Sequence, residues 1–286
     1  MSTGPAEPRT ICLLGGDGRM GRMFRRLFEA DGYTVTVGDR APPAAHEALI
    51  RAADVVILTV PIRETVPLAR AIAAYLKPRQ LLSDFTSIKA EPVAAMLETP
   101  AQVIGCHPIF GPMADPTGQN VVLCPARPGP WLPWYRAFFE RHGMQVAEMS
   151  PAEHDQAMAF IQGLTHFINI TFAKTLASAD TNLEHLLQVC SPVYRIFFAM
   201  LCRILSGDEK LYGQIQMSNP ANVPVVAAFL ENGESLLELV RGGDLEAFYR
   251  EFQAVADYLG SYKEVARDES NYLVERIREY LAERSG

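Results

Sequence analysis

Short apolar segments alternate with helical ones from Thr10 to about Ser150. Six apolar segments, each bounded by Gly, Pro or Asp, are typical of buried strands: ICLLGG, YTVTVGD, ADVVILTVP, LLSDF, QVIGCHP and VVLCP. Between them, segments such as GRMFRRLFEA and VPLARAIAAYL have the pattern of helices. The alternation predicts βαβ units, and therefore a mostly parallel sheet that is covered by helices.

The pattern changes at SPAEHDQAMAFIQGL. Ser150 is a good N-cap, Pro151 suits the first helical position, and Glu153 completes a capping box, so a helix should begin here. Beyond this point the sequence predicts helices and no strand. One begins at Ser191–Pro192 and ends near Gly207, and the later ones cover roughly Val223 to Arg241, Leu245 to Arg267 and Glu269 to Arg284.

Composition restricts the class of protein. The 286 residues are enough for two domains, each with its own core. A net charge of -7 without a long basic run argues against a nucleic-acid partner. The chain begins without signal-peptide features, and no apolar segment approaches the ~20 residues of a membrane span. We therefore expect a cytoplasmic protein with neither membrane nor nucleic acid as a partner. The five cysteines lack C-x-x-C spacing, which favours reduced core residues over disulfides or metal ligands.

A glycine-rich loop, GGDGRMG, follows the first predicted strand and opens the first helix. Gly16, Gly18 and Gly21 match G-x-G-x-x-G, in which glycines permit a tight turn and close approach to a pyrophosphate. Asp39 ends the second strand ~20 residues further on, where an acidic side chain holds the ribose hydroxyls of NAD. Arg40 beside it could accept the 2′-phosphate of NADP, but Asp39 would repel that phosphate. The combination predicts NAD as the cofactor.

Four further residues complete the predicted cofactor site: Arg19, Met20, Val60 and Pro61. The patterns together predict an α/β N-terminal dinucleotide-binding (Rossmann-like) domain over residues 1–150, followed by an all-helical domain over residues 151–286. The helices of the second domain carry more apolar side chains than one small bundle needs. We therefore expect this domain to form a homodimer, and we assign substrate binding to it as well.

Three polar residues lie at predicted carboxyl ends of strands, where a bound dinucleotide presents its nicotinamide. His107 ends the fifth apolar segment, and Ser87 and Lys89 follow the fourth, in DFTSIKA. A lone histidine at such a place is often a satisfied structural residue, and Ser87 could simply cap the next helix. The dinucleotide loop favours the functional reading, in which the strand delivers His107 to the cofactor.

Arg195 and Arg203 lie in the apolar segment VYRIFFAMLCRIL, about 80° apart around a helix. A buried guanidinium needs an anion, which could be an internal carboxylate or a dicarboxylate substrate. His154 and His166 lie on the preceding helix at a spacing that excludes an i,i+4 metal pair. Substrate contact and a capping or core role remain open for each histidine. We predict no metal site.

Several of these segments resemble the prephenate dehydrogenase family in order and spacing, especially the enterobacterial type. They are GGDGRMGRMF, VPI, DFTSIKA, GCHPIFGP, AEHDQAMAFIQGLTHF, SPVYRIFFAMLCRI and the region of Tyr212. The resemblance covers about residues 9 to 270. We expect no chorismate mutase domain, because the first predicted strand begins at Thr10, and no regulatory domain after the helices.

The resemblance implies NAD-dependent oxidative decarboxylation of prephenate to 4-hydroxyphenylpyruvate in tyrosine biosynthesis. It implies that neutral His107 accepts the proton of the ring hydroxyl, that Ser87 helps to position it, and that Arg203 binds a carboxylate. Loss of CO2 from the resulting dienone makes the ring aromatic, so no metal is needed. The residues that the resemblance adds to the substrate pocket are Arg195, Lys89, His166 and Tyr212.

The sequence also leaves alternative substrates and functions. Thr165 occupies a position where enterobacterial relatives usually carry an arginine, which keeps arogenate and 4-amino-4-deoxyprephenate open as substrates and leaves inhibition by tyrosine open. A non-enzymatic NAD-sensing protein would not need His107 together with buried arginines. A 3-hydroxyacid dehydrogenase typically uses a lysine in its second domain, and no matching lysine motif is present.

Overall fold

A computed structural model describes residues 7–112 and 115–285, and its chain divides into two compact units. The sheet unit comprises the residues up to Gln162 together with Gly213–Asn222. The helical unit comprises Gly163–Tyr212 and the residues from Val223 onwards. The segment Gly213–Asn222 therefore belongs to the sheet unit, although in the chain it follows helices of the helical unit.

The sheet unit is built on one seven-stranded sheet. Its strands are β1 Thr10–Leu14, β2 Thr34–Gly38, β3 Val55–Leu58, β4 Leu81–Asp84, β5 Gln102–Pro108, β6 Asn120–Arg127 and β7 Gln145–Glu148. They lie in the order β2-β1-β3-β4-β5-β6-β7. Neighbouring strands pair parallel from β2 to β5, β6 is antiparallel to β5, and β7 is parallel to β6. The predicted α/β class with a mostly parallel sheet is confirmed.

Helices account for most of the remaining described residues. They are α1 Arg19–Ala30, α2 Glu47–Ala52, α3 Ile62–Ala71, α4 Ala90–Leu97, α5 Leu132–Arg141, α6 Pro151–Met158, α7 Thr165–Ser178, α8 Leu183–Val189, α9 Pro192–Leu205, α10 Glu209–Ser218, α11 Asn222–Gly242, α12 Leu245–Leu259 and α13 Tyr262–Ser285. Short 3-10 helices cover Pro43–His46 and Ala73–Tyr75, and a π-helical segment covers Ala159–Leu164. The helical character predicted for the second part of the chain is confirmed.

The sheet buries an apolar cluster on each of its faces. In β1, Ile11 and Leu13 pack into one cluster, whereas Cys12 and Leu14 pack into the other. Successive side chains of a strand point to opposite faces, so a sheet covered on both sides needs apolar residues at every position. This requirement explains the continuous apolar segments in the sequence.

Two details differ from the sequence prediction. β7 was not predicted, because its four residues lie at the sheet edge and are mostly exposed, so they carry no apolar signal. The predicted helix from Leu245 to Arg267 is also wrong. Gly260 has a φ of 55°, a left-handed conformation that favours glycine, and it ends α12 after Leu259.

Candidate active site

The glycines of the loop between β1 and α1 lie close to neighbouring atoms, and a Cβ atom on any of them would come within 3.1 Å of one. Gly15 has a φ of 88°, in the left-handed region. A Cβ atom on Gly21 would lie 2.6 Å from the Cα atom of Gly16. The first helical residue is Arg19, and Gly18 at the N-cap has no side chain that could cap the helix. The N–H groups of the first turn are therefore available to a pyrophosphate.

A cleft of about 650 Å³ adjoins this loop. It is lined by the predicted residues Gly18, Asp39, Arg40, Val60 and Pro61, and also by Gly15, Asp17, Arg22 and Thr59. The chain leaves β2 at Gly38, so the Asp39 carboxylate lies at the carboxyl end of a strand. A glycine cradle for phosphates beside an acidic side chain for ribose hydroxyls fits a dinucleotide.

The remaining predicted cofactor residues lie around this cleft. Gly16 and Gly21 form the tight turn described above. Arg19 lines a neighbouring cavity of about 390 Å³ that also contains other arginines of α1. Met20 packs against the apolar cluster that contains Ile11. The structure thus gives Gly16, Gly21 and Met20 a packing role beside the cleft.

His107 lies one residue before the end of β5 and is buried, with 3% of its surface exposed. β5 pairs with β4 as far as Gly105, and beyond that residue His107 pairs with Val122 of the antiparallel β6, which holds the backbone that carries the imidazole. The Nδ1 atom of His107 lies 2.8 Å from the Nε2 atom of His154. The predicted catalytic imidazole of His107 is therefore hydrogen-bonded to the imidazole of His154.

The start of α6 supplies the next two groups. The predicted capping box is present, with Ser150 Oγ accepting from the Glu153 backbone N–H at 3.2 Å and the Glu153 carboxylate accepting from the Ser150 N–H at 2.8 Å. It fixes the first turn, on which His154 and Asp155 follow. His154 Nδ1 lies 2.8 Å from Asp155 Oδ1.

Asp155 also caps another helix. Its carboxylate accepts hydrogen bonds from the backbone N–H of Lys89 at 2.7 Å and from that of Ala90 at 2.9 Å, at the start of α4. A carboxylate at a helix N-terminus is favoured by the orphan N–H groups and by the helix dipole. The same acid therefore joins α6, α4 and the imidazole chain.

Burial sets the charge states in this chain. It lowers the pKa of His107 well below its usual value, and His154 and Lys89 nearby lower it further. Burial also lowers the pKa of His154, although the hydrogen bond to Asp155 acts in the opposite direction. For Asp155, burial raises the pKa, but the hydrogen bonds from His154, Ala90 and Lys89 outweigh it, and the net shift is downward. At neutral pH, the hydrogen-bond chain thus consists of the neutral imidazoles of His107 and His154 and the ionised carboxylate of Asp155.

Lys89 is fully buried together with its partner Asp84, the last residue of β4. Its ammonium group forms an ion pair with that carboxylate and lies 3.1 Å from Thr86 Oγ1. The backbone N–H of Thr86 donates to the same carboxylate at 3.1 Å. Ser87 is half-buried in this loop. The Lys89 ammonium is paired with the Asp84 carboxylate. The pocket roles implied for Lys89 and Ser87 stay predictions.

In the helical unit, the structure brings two of the predicted pocket residues together. The ring centroids of His166 and Tyr212 lie 4.8 Å apart, with the ring planes almost perpendicular. Burial lowers the pKa of His166, and its buried Nδ1 atom has no hydrogen-bond partner among the described residues. A polar atom left unpaired in this way is available to a ligand.

The expectation of two buried arginines is wrong. Arg203 is exposed, and Arg195 is half-buried, with Nη2 donating to the carbonyl of Leu187 at 3.3 Å. The apolar residues around Arg203 do not enclose it, because Met200 and Leu205 are themselves 53% and 51% exposed. Arg203 is therefore not held by an internal salt bridge among the described residues, and its guanidinium is open to an outside anion.

The described residues offer neither a cluster of metal ligands nor a membrane-spanning helix. Their His, Cys, Asp and Glu side chains form no group of three suited to a metal ion. None of their helices has the length and apolar content that a membrane crossing requires.

The sequence of this chain is similar to those of known proteins. A family model described as the nucleotide-binding domain of prephenate dehydrogenase matches residues 27–148, and one described as its dimerization domain matches residues 150–254. The T-protein of Haemophilus influenzae is 34% identical over 271 residues, which cover 94% of this chain and 72% of that protein. The chain belongs to the prephenate dehydrogenase family. The predicted family, enzyme class and nucleotide-binding domain are confirmed.

Other members of the family differ in their named substrates. A 4-amino-4-deoxyprephenate dehydrogenase of Streptomyces pristinaespiralis is 29% identical, with 87% of this chain and 91% of that protein covered. Among solved structures, the prephenate dehydrogenase of Aquifex aeolicus, in complex with hydroxyphenyl propionate and NAD+, superposes with a TM-score of 0.71. It is 19% identical and covers 89% of this chain and 98% of its own, which establishes a shared fold.

Sequence reasoning did not find two acids of the site, Asp84 and Asp155. Each acid lies near a residue that was selected from the sequence. Asp84 ends the strand before Lys89, and Asp155 is next to His154. A charged residue that directly ends a continuous apolar strand, as in LLSDF, is the signal that could have identified Asp84. The role of Asp155 could not be predicted from the sequence, because it depends on which elements pack against α6.

Proposed function

We propose that this chain catalyses the NAD-dependent oxidative decarboxylation of prephenate to 4-hydroxyphenylpyruvate. The observation that carries the proposal is the placement of His107, a buried imidazole at the carboxyl end of β5 in a chain of the prephenate dehydrogenase family, where burial lowers its pKa and favours the neutral form. A neutral imidazole has a free nitrogen lone pair and can accept the proton of a ring hydroxyl. Bound NAD would supply the hydride acceptor.

The proposed cofactor site is the glycine cradle with the adjoining cleft. The first turn of α1 would bind the pyrophosphate, and Asp39 would bind the ribose hydroxyls. Asp39 repels the 2′-phosphate of NADP, whereas Arg40 attracts it. We favour NAD because the carboxylate would face the hydroxyl pair directly.

The proposed substrate residues outside the sheet unit are those that can recognise anions or fill a pocket. Arg203 would bind a carboxylate of prephenate through its exposed guanidinium, and Arg195 would assist. His166 would use its unpaired Nδ1 atom, next to the ring of Tyr212. Ser87 would help to position the reacting hydroxyl.

A second substrate is supported by one residue. Thr165 cannot supply the positive charge of an arginine, so the preference for prephenate over arogenate or 4-amino-4-deoxyprephenate is open at this position. The test is a substrate panel with NAD and NADP in which the reduced nicotinamide is followed, with and without tyrosine. Highest kcat/KM with prephenate and NAD supports the proposal. Turnover of only an amino-substituted substrate would replace it, and no turnover of any would refute it.

We also propose that the helical unit forms a homodimer. An apolar stripe along α12 is exposed, with Leu245, Tyr249, Phe252 and Val255 each more than half accessible. Their spacing places them along one side of the helix, as in a helix that packs against a partner. Light scattering should give twice the 31.6 kDa chain mass, and Phe252→Glu should reduce it to one. A monomeric unmodified protein would contradict the proposal. The predicted cytoplasmic location stays a prediction.

A further inference from the structure

The hydrogen-bond chain from His107 through His154 to Asp155 has a direction. We propose that His154 and Asp155 are positioning residues that hold His107 in the tautomer with a bare Nε2 atom, the form able to accept a substrate proton. This inference rests on the proposed function. It adds two residues that act through His107 rather than on the substrate.

The direction follows from what each group can donate. An ionised carboxylate is an acceptor only, so the proton of the His154–Asp155 bond lies on His154 Nδ1. A neutral imidazole carries one ring proton, so His154 Nε2 is bare and accepts from its other neighbour. His107 Nδ1 must then donate to it across 2.8 Å. The lone pair of neutral His107 is left on Nε2.

The anchoring of Asp155 makes this direction stable. Its carboxylate accepts from His154 Nδ1 and from the backbone N–H groups of Lys89 and Ala90. Its own carbonyl accepts from the buried Asn219 side-chain amide at 2.7 Å. Backbone N–H groups cannot reverse their role, so the carboxylate has no freedom to become a donor. The acceptor end of the chain is thus fixed by the fold.

The same hydrogen-bond chain stabilises the positive charge that forms on His107 when it accepts the substrate proton. When the hydroxyl O–H bond breaks, the proton forms a new bond to Nε2, and the imidazole becomes a cation that still donates from Nδ1. Among the described residues, the charged groups that act on His107 or on its partner His154 are Lys89 on the loop before α4, Asp84 at the end of β4 and Asp155 on α6. The Lys89 charge is neutralised by Asp84. The Asp155 carboxylate therefore remains to balance the new cation through His154.

A purely structural role for the two residues predicts something different. Asp155 caps α4, and His154 fills buried space, so their loss would lower the melting temperature whatever the tautomer of His107. The distinguishing measurement is the ring nitrogen chemical shift of His107, which separates protonated from bare nitrogens without any bound cofactor or substrate. It is also independent of the identity of the substrate, so it can fail while the proposed function holds.

The experiment uses 15N-histidine-labelled full-length protein at neutral pH, with His107 assigned through His107→Asn. We expect a protonated Nδ1 and a bare Nε2 in the unmodified chain. In His154→Leu, the Nε2-protonated form should appear and kcat should fall roughly 10- to 10³-fold, within the range that proton transfer contributes. The matched control is Asn182→Ala, which removes the N-cap of α8, a helix that carries none of the three residues of the chain. It should lower the melting temperature and leave both the tautomer and kcat unchanged.

A protonated Nε2 on His107 in the unmodified protein would overturn the proposal, even if no variant folds. An unchanged tautomer in a folded His154→Leu protein would overturn it as well. If the unmodified protein has the expected tautomer but turns over no prephenate, the positioning role stands and the proposed substrate fails.

Discussion

His107 on β5 and His154 on α6 share a hydrogen bond of 2.8 Å between Nδ1 and Nε2, although 47 positions separate them in the chain. The bond joins β5, which presents the proposed base, to α6 within the same sheet unit. Because both rings are buried, their protonation is governed by the fold rather than by bulk water.

Activity should be insensitive to pH near neutrality. Burial lowers the pKa of His107 well below its usual value, so the neutral form persists where an exposed histidine would be charged. We expect kcat to stay nearly constant from about pH 8 to about pH 6.5 and to fall only at lower pH. A pH profile of kcat with saturating NAD tests this. A midpoint at or above about pH 6.5 would contradict it.

Stability should decrease in acid for the same reason. The folded-state pKa values of His107, His154 and His166 are lowered, so just below about pH 6.5 the unfolded chain binds more protons than the folded chain. The free energy of unfolding should therefore fall as the pH falls from about 6.5 towards those lower pKa values. Above this window the three groups are neutral in both states and add no slope.

Urea unfolding at a series of pH values measures this dependence. The control is His185→Gln, which removes an exposed histidine. A free energy of unfolding that is independent of pH below about 6.5, or that rises, would show that the buried imidazoles are not kept neutral by folding.

Removing the Lys89 charge should destabilise the sheet unit. Lys89 and Asp84 are both fully buried, so Lys89→Met leaves an unpaired buried carboxylate and should cost about 3–5 kcal/mol of unfolding free energy. A second change, Asp84→Leu, removes that carboxylate and should restore part of the loss. Denaturant unfolding of both variants tests the pair. A stable Lys89→Met protein with a greatly raised prephenate KM would instead return Lys89 to the substrate pocket.

Arg203 should contribute to binding rather than to stability. It is exposed and bonded to no internal carboxylate among the described residues, and a carboxylate contact persists from the bound substrate to the hydride-transfer transition state. Arg203→Ala should therefore raise the prephenate KM far more than it lowers kcat, by roughly 30-fold or more in kcat/KM. Arg203→Lys should recover part of the loss.

The melting temperature of the same Arg203 preparations should be unchanged. The half-buried Arg195, whose guanidinium donates to the carbonyl of Leu187, offers a comparison in which a loss of stability is expected. An unaltered prephenate KM in folded Arg203→Ala would exclude the substrate-binding assignment.

Cofactor preference should depend on Asp39. The carboxylate lies in the cleft beside Arg40, so its removal leaves a positive side chain next to the ribose. We expect the unmodified protein to have the higher kcat/KM with NAD, and Asp39→Ala to narrow the difference from NADP. Steady-state kinetics with both nucleotides measures it. Equal or better use of NADP by the unmodified protein would overturn the assignment.

The parts of this molecule that were predictable from sequence are those determined by local pattern. The glycine loop, the apolar strands and the Ser150 capping box each depend on a few neighbouring residues, and each is present as predicted. The exposure of Arg203 could not be derived in this way. The apolar residues around it indicated burial, yet nothing local determines whether another element covers that side of α9.

The Asp155 network shows a second limit. Its three hydrogen bonds reach the start of α4 and the side chain of His154, and one more ties its carbonyl to Asn219. These partners are distant in sequence apart from His154, so only tertiary packing brings them together. The edge strand β7 escaped detection for a related reason, because exposed residues carry no apolar signal.

The central claim is that His107 is the proton acceptor in the oxidation of prephenate, and its most direct test is kcat of His107→Asn with saturating prephenate and NAD. We expect kcat to fall roughly 10²- to 10⁴-fold, with the affinity for NAD almost unchanged, because the side chain lies outside the glycine cradle. The exposed histidine variant His185→Asn should retain normal turnover. Near-normal turnover of folded His107→Asn would contradict the account and leave this histidine with a structural role.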